Sequence, residues 1–239
     1  MCVSDPQFLT KEATALRIKI IPNGPYLVTG GIPIKEMIII PMGHHNEFTE
    51  GRTLPQSDEY FLCRCGHSKN APFCDAEHVK AGFSGRETAS KAPYADRIKD
   101  VVEGETMMLL DDDRCAFARF CHREGGSVWE LTMQDSDPEK RSEALKAAHD
   151  CPAGRLVTVT HDGEIIEDKN EPEIIIMQDP EKGTSAGIFV KGPIVIESAD
   201  GTEYEVRNRV ALCRCGESHN KPFCDASHIN ANYIDKKVT

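Results

Sequence analysis

The chain has 239 residues, room for one large domain or two to three small ones. At 39% hydrophobic and 6% aromatic it is modestly apolar and lies outside the disordered range. A formal net charge of −11 argues against a nucleic-acid or anionic-membrane partner and favours a basic face on a protein partner.

The first residues, "MCVSDPQFLTKEATALRIK", have no basic start followed by an apolar stretch, so a secretory signal is not expected, and Cys2 reads as inert. The longest apolar runs, such as "MIIIPM" at 37–42, fall far below the roughly 20 residues a membrane span needs. A cytoplasmic protein is the expectation. Ten cysteines in that setting favour metal or redox chemistry over disulfides.

Residues 16–42 are rich in β-branched side chains and broken by "PNGP" and "GG", which predicts short strands joined by turns. Residues 43–60 read as a polar loop. Residues 63–78, "CRCGHSKNAPFCDAEH", then form a cysteine-rich hook. Beyond a small polar stretch at 82–96 the texture changes. "RIKDVVEGETMMLLDDD" predicts a strand or two, with the aspartates at 111–113 as a solvated turn. "CAFARFCHREGG" reads as a turn or short helix. "DPEKRSEALKAAHDC" predicts a helix with Asp137 as N-cap, Pro138 in the first turn and Lys146 late. "RLVTVTHDGEIIE" predicts a hairpin turning at Asp162-Gly163.

From about residue 171 the N-terminal texture returns. "EIIIMQDP" echoes "EMIIIPM", and "VKGPIVIES" echoes "PNGPYLVTG". A strand pair around "ADG" leads into a second hook, "CRCGESHNKPFCDASH", at 213–228. The hooks differ only at 67/217, 69/219, 71/221 and 77/227. Matching Gly24 with Gly192 makes the first copy the longer one, so it carries an insertion. The predicted layout is a module at 1–90, a different domain at 91–170 and a second module at 171–239.

Each hook spaces four soft or borderline donors as C-x-C-x8-C-x3-H: Cys63, Cys65, Cys74 and His78, then Cys213, Cys215, Cys224 and His228. Three thiolates and one imidazole suit zinc or an iron–sulfur cluster, and spacing alone leaves both open. Gly66 and Gly216 can turn backbone N–H groups toward a metal or sulfide, and Ser68 and Ser218 can add a hydroxyl. Pro72 and Pro222 hold the residue before them extended. Asp75 and Asp225 are placed to N-cap a short helix that would put Cys and His on one face.

The hooks resemble the CDGSH iron–sulfur domain, whose pattern is C-x-C-x2-(S/T)-x3-P-x-C-D-G-(S/A/T)-H. Both fit at every ligand and at Ser, Pro and Asp. Both depart where Ala76 and Ala226 replace glycine, and Glu77 is a second departure. The resemblance implies a [2Fe–2S] cluster on three Cys and one His in each hook. It also implies a small strand-swapped β-cap over a cluster-binding region with a short helix, and homodimers among the simplest members. Two modules in one chain would then form an internal pseudo-dimer, with strands near 18–40 and 174–206 pairing across a pseudo-twofold. The expected fold class is α+β, β-rich, and the expected chain is a monomer.

In the middle region "CAFARFC" and "CPAG" give Cys115, Cys121 and Cys151, spaced C-x5-C…C-P. That is a bacterial ferredoxin run lacking its second cysteine, whose place Ala118 takes. The stretch resembles the divergent mono-cluster ferredoxin domain. Three ligands suit a [3Fe–4S] cluster, or a [4Fe–4S] cluster with an outside fourth ligand. The competing reading is a degenerate ferredoxin scaffold with buried cysteines.

No Ser/His/Asp set, dinucleotide loop or carboxylate pair placed for acid–base work is visible, so a catalyst is not expected. The expected role is one-electron transfer, or storage and delivery of labile clusters with redox or pH sensing, toward a redox partner or apo-acceptor protein. The alternatives are a zinc-stabilised protein-binding module and a subunit of a redox enzyme that uses the middle site.

Overall fold

The computed structural model describes residues 16–235. The first part holds β1 (Arg17–Ile20), β2 (Tyr26–Thr29), β3 (Ile34–Met42), β4 (His45–Glu50), β5 (Glu59–Leu62) and α1 (Glu77–Lys80). The middle holds β6 (Asp100–Glu103), β7 (Met108–Asp111), β8 (His122–Arg123), β9 (Gly126–Ser127), α2 (Val128–Thr132), α3 (Pro138–His149) and β10 (Leu156–Val159). The last part holds β11 (Glu173–Asp179), β12 (Thr184–Lys191), β13 (Val195–Glu197), β14 (Arg209–Leu212) and α4 (Ser227–Asn230). The fold is α+β and rich in strand.

Two sheets trade strands between the first and last parts. One has the order β13-β1-β2-β5, the other β14-β12-β11-β3-β4. β13 joins β1 in parallel, and β3 joins β11 in parallel with Ile34 opposite Ile174. Read from the strand that feeds its hook, each sheet passes through two more strands of its own to a borrowed one, β13 or β3, and the second sheet continues to β4. Ile18, Tyr26, Val28 and Leu62 of one sheet meet Ile174, Ile188, Val190 and Leu212 of the other in one buried core. Neither part could bury its apolar face alone, so the exchange makes the fold cooperative across the repeat.

The sheets differ in cover. β2 and β5 alternate buried with more open positions, the mark of a sheet with one dry face. β12 is buried at all but its last residue and β14 throughout, so the sheet is covered on both faces at this end. The middle region supplies part of that cover: Arg209, at the start of β14, donates to the carbonyls of Ala148 (2.6 Å), Cys151 (2.8 Å) and Leu156 (3.0 Å). That region has a three-stranded sheet, β10-β7-β6. α2 and α3 pack on it through Leu109, Val128, Ala147, Ala148 and Leu156. Asp137 caps α3 as predicted, accepting from the amide of Glu139 at 2.9 Å.

Four expectations change. The polar stretch 43–60 is not all loop: His45–Glu50 is an edge strand on β3. Phe48 stacks on Phe120 of the middle region at 4.6 Å, and Asn46 donates to the Ala118 carbonyl. The aspartate run is not a solvated turn: Asp111 and Asp112 are buried and paired with Arg155 and Arg97, and only Asp113 is exposed. The turns at Asp162-Gly163 and at "ADG" form, but each returning arm pairs through one bridge, Val159 with Ile165 and Glu197 with Glu203. The Gly-Pro echo also misaligns the repeat. Tyr26 stands opposite Leu62 as Ile188 stands opposite Leu212, so β2 corresponds to β12, and Gly192 follows the strand that Gly24 precedes. The first copy remains the longer, and its extra length is the outer end of β3 with β4. Cys2 and the N-terminal segment lie outside the described residues.

Candidate metal centres

Each hook leaves the end of a strand and returns beside it. Cys63 donates its amide to the Pro72 carbonyl (2.8 Å) and Cys74 to that of Phe61 (2.9 Å). Cys213 and Cys224 do the same to Pro222 and Ala211, both at 2.8 Å. The Ala71-Pro72 and Lys221-Pro222 peptides are both cis. This ladder brings the third cysteine back beside the first.

The eight predicted donors then fall into pairs. Cys63 Sγ and Cys65 Sγ are 3.6 Å apart, and Cys74 Sγ lies 3.5 Å from His78 Nδ1. The second hook repeats both values, 3.6 Å for Cys213 with Cys215 and 3.5 Å for Cys224 with His228. A tetrahedral centre with sulfur at ~2.3 Å and nitrogen at ~2.05 Å sets two sulfurs about 3.75 Å apart and sulfur and nitrogen about 3.6 Å apart. Each pair thus fits one tetrahedral metal. Among the described residues no three His, Cys, Asp or Glu side chains gather as a single ion requires.

The Cys65 thiol donating to Cys63, aided by the amides of Ser68 and Gly66, draws Cys63 down to about 6, and Cys65 is held well above the usual thiol range. Cys213 is drawn down to about 7 in the same way, with Cys215 held up. Burial raises Cys74 and Cys224. A metal would displace the remaining protons.

The loop residues do different work from that expected. The Ser68 hydroxyl donates to the Phe73 carbonyl (2.6 Å), and that of Ser218 to Phe223 (2.7 Å), so neither reaches a thiolate; the serine amides do. Asp75 does not N-cap the helix. It accepts from the amides of Lys69 (2.8 Å) and Glu77 (3.2 Å), and Asp225 accepts from His219 and Ser227, bracing the two limbs of the loop. The helices are single turns entered through Ala76 and Ala226, left-handed at φ 67° and 68°. This is the backbone state that glycine adopts freely, which gives the missing motif glycine a physical meaning. The Ala76 amide points at Cys74 Sγ, 3.4 Å away.

Gly66 and Gly216 have positive φ, 76° and 87°, as expected, and they also let the hooks touch. A Cβ on Gly66 would lie 2.3 Å from the Cys215 carbonyl oxygen, and one on Gly216 2.7 Å from that of Cys65. Sequence reasoning missed Arg64 and Arg214, the residue between the first two cysteines of each hook. Arg64 donates to the carbonyls of Ile21, Gly24 and Gly85. Arg214, fully buried, donates to those of Ala186 and Met177 and pairs with Asp235 at 2.5 Å. Each anchors its hook to a sheet, and the repeated "CRC" was the available signal. Tyr26 is a third miss. Its hydroxyl donates across the repeat to the Cys213 carbonyl at 2.8 Å.

In the middle region Cys115, Cys121 and Cys151 line one small cavity with Ala118 and Trp129. The loop between the first two has left-handed Phe117 and Arg119, φ 58° and 65°. The Phe117 N–H donates to Cys115 Sγ at 3.3 Å. Burial pushes Cys121 up to about 11, with the neighbouring Cys151 and Cys115 adding to it. Burial raises Cys151 as well. His122 is exposed on β8 and lies off the cavity.

A family described as iron-binding zinc fingers of the CDGSH type matches residues 23–79 and 187–229. A second, described as a divergent 4Fe-4S mono-cluster, matches residues 102–161. Two CDGSH segments flank a ferredoxin-type domain. Both descriptions concern iron, so the chain is an iron–sulfur protein. No curated protein and no solved structure matches it. The CDGSH segments include both hooks and, in each copy, sheet strands upstream of the hook. The mono-cluster segment includes all three middle cysteines.

Proposed function

We propose that each CDGSH hook holds one [2Fe–2S] cluster: Cys63 and Cys65 on one iron with Cys74 and His78 on the other, and Cys213 and Cys215 with Cys224 and His228 likewise. The observation that carries this reading is the two-plus-two grouping of donors at 3.5–3.6 Å. A zinc site of the same donor set needs all four around one ion. A two-iron cluster needs one pair on each iron, which is how the hooks present them.

Such a cluster, with one thiolate replaced by neutral imidazole, carries one less negative charge than an all-cysteine cluster. Its potential should lie above the roughly −400 mV of plant-type clusters and toward the range of Rieske centres, which have two histidine ligands. The chain then serves as a carrier of electrons or of labile clusters between proteins in the cytoplasm, and not as a catalyst. No helix among the described residues is long and apolar enough to cross a membrane. The middle cavity, lined by Cys115, Cys121 and Cys151 with the Phe117 amide on Cys115 Sγ, supports a third cluster, [3Fe–4S] or [4Fe–4S], on those three cysteines.

A visible spectrum with iron, zinc and sulfide analysis tests the proposal. The expected result is a red-brown protein with about four irons in the hooks, and about seven or eight if the middle site is filled. A colourless zinc protein overturns it. Mixing with an apo-acceptor protein then separates the two roles, since cluster transfer moves the chromophore and electron transfer only bleaches it.

A further inference from the structure

The two hooks are near copies in sequence and unequal in surroundings. In the first, Cys74 and His78 are half-buried, α1 buries no residue, and Val79 beside the histidine is 72% exposed. In the second, Cys224 and His228 are only 3% and 2% exposed. Three groups close it in. Thr88 and Ala89, from the segment after the first hook, donate to the Lys221 carbonyl, and the Thr88 hydroxyl donates to that of His219. Tyr233 packs against Cys213 and Cys215. The third group is the ferredoxin-type domain itself.

That last contact brings two cluster sites together. Ala116, next to Cys115, packs against Cys224 and Ala211. The Arg114 guanidinium stands 4.0 Å over the Phe223 ring, and Cys115 and Cys224 line the same cleft. Arg209 ties the Cys151 carbonyl to the strand that leads into Cys213. The second hook also meets the first, through Gly66 and Gly216, whose near-contact with Cys215 and Cys65 is backbone to backbone.

We infer that the three sites form one ordered chain of redox centres, first hook, second hook, three-cysteine loop, with the second hook as the enclosed link and the first as the end that meets partners. The inference rests on the cluster reading above. A one-electron carrier protein reduces the first-hook cluster. That cluster is reoxidised as the second gains the electron, and the second as the third gains it. No bond is made or broken, and the order serves both directions. The arrangement also divides labour: the open first hook can release its cluster, while the second is held by its cover.

Electron paramagnetic resonance on the fully loaded, reduced chain tests the order. The two hook signals are told apart with His78→Cys and His228→Cys, each of which alters one of them. The third site is emptied with Cys151→Ser, or with Cys115→Ser if the first variant does not fold. The expected result is that emptying it slows the spin relaxation of the second hook several-fold and leaves the first unchanged. An equal response of both hooks, or no response although iron analysis shows the third site filled beforehand, overturns the order. An iron count of about four in the unaltered chain also overturns it while leaving the hook reading intact, and hooks without clusters sink both. A chelator should strip the first hook several-fold faster than the second; the reverse removes the enclosed link.

Discussion

Replacing Ala76 with glycine should make the first hook hold more tightly, the opposite of what glycine does in an ordinary helix. Ala76 is left-handed at φ 67°, and that state costs an L-residue roughly 1–2 kcal/mol that glycine avoids. Glycine also gives the opened chain more freedom, offsetting about 0.4–1 kcal/mol. The Ala76 methyl is exposed, so no packing is lost. The amide that points at Cys74 Sγ is retained. The net expectation is a closed hook stabler by about 0.5–1 kcal/mol. Chelator-driven loss of the visible band under native conditions reads local opening, and this gain slows it about two- to fivefold. Ala226→Gly should act in the same direction but less, because Ala226 is half-buried. Faster loss in Ala76→Gly would refute the reasoning, because a right-handed helical alanine gives that sign, at about 1 kcal/mol.

Two further outcomes are expected. Asp235→Asn leaves the guanidinium of Arg214 buried without its counter-charge and should destabilise the chain by about 3–5 kcal/mol, read from the urea midpoint; a loss under about 1 kcal/mol would show that the surrounding carbonyls alone satisfy Arg214. His228 is drawn down to about 4, first by burial and then by Arg214, so its folded pKa lies below the ~6.5 of an unfolded histidine. The stability of the neutral form is therefore full above pH ~6.5 and is lost as pH falls toward about 4, amounting to about 3 kcal/mol. In the metal-free chain, where His228 is not held as a ligand, thermal midpoints across this window should fall, and fall less in His228→Cys; equal slopes would remove His228 from the account.

The repeat, the candidate donors and the ferredoxin-type cysteines were legible because ligand chemistry tolerates few residue types and would fix their spacing. The β-rich class was legible from β-branched runs between Gly and Pro. What was not legible depended on partners distant in sequence. His45–Glu50 is polar along its length and becomes a strand because β3 offers an edge and Phe120 offers a ring for Phe48. Asp111 and Asp112 look solvated until Arg155 and Arg97 arrive from elsewhere in the chain. Ala76 and Ala226 read as ordinary helix formers, because sequence shows which residue is present and not the sign of its φ. Arg64 and Arg214 were visible as a repeat, but spacing around the ligands drew attention to the cysteines on either side.

The duplication accounts for the shared core, and the insertion accounts for the inequality. Two modules that lend each other a strand, β13 to one sheet and β3 to the other, must keep matched apolar faces, so their hooks stay alike in sequence and in donor geometry. The domain placed between them in the chain leans on one of them more than the other, on β14 through Arg209 and on Cys224 through Ala116. The alternation seen in β5 and lost in β14 records that choice residue by residue. Identical candidate donor sets thereby differ in solvent exposure without any change of residue type. Since cluster lability and potential both depend on burial and on hydrogen bonds around the sulfurs, the inserted domain can tune one hook and leave the other open.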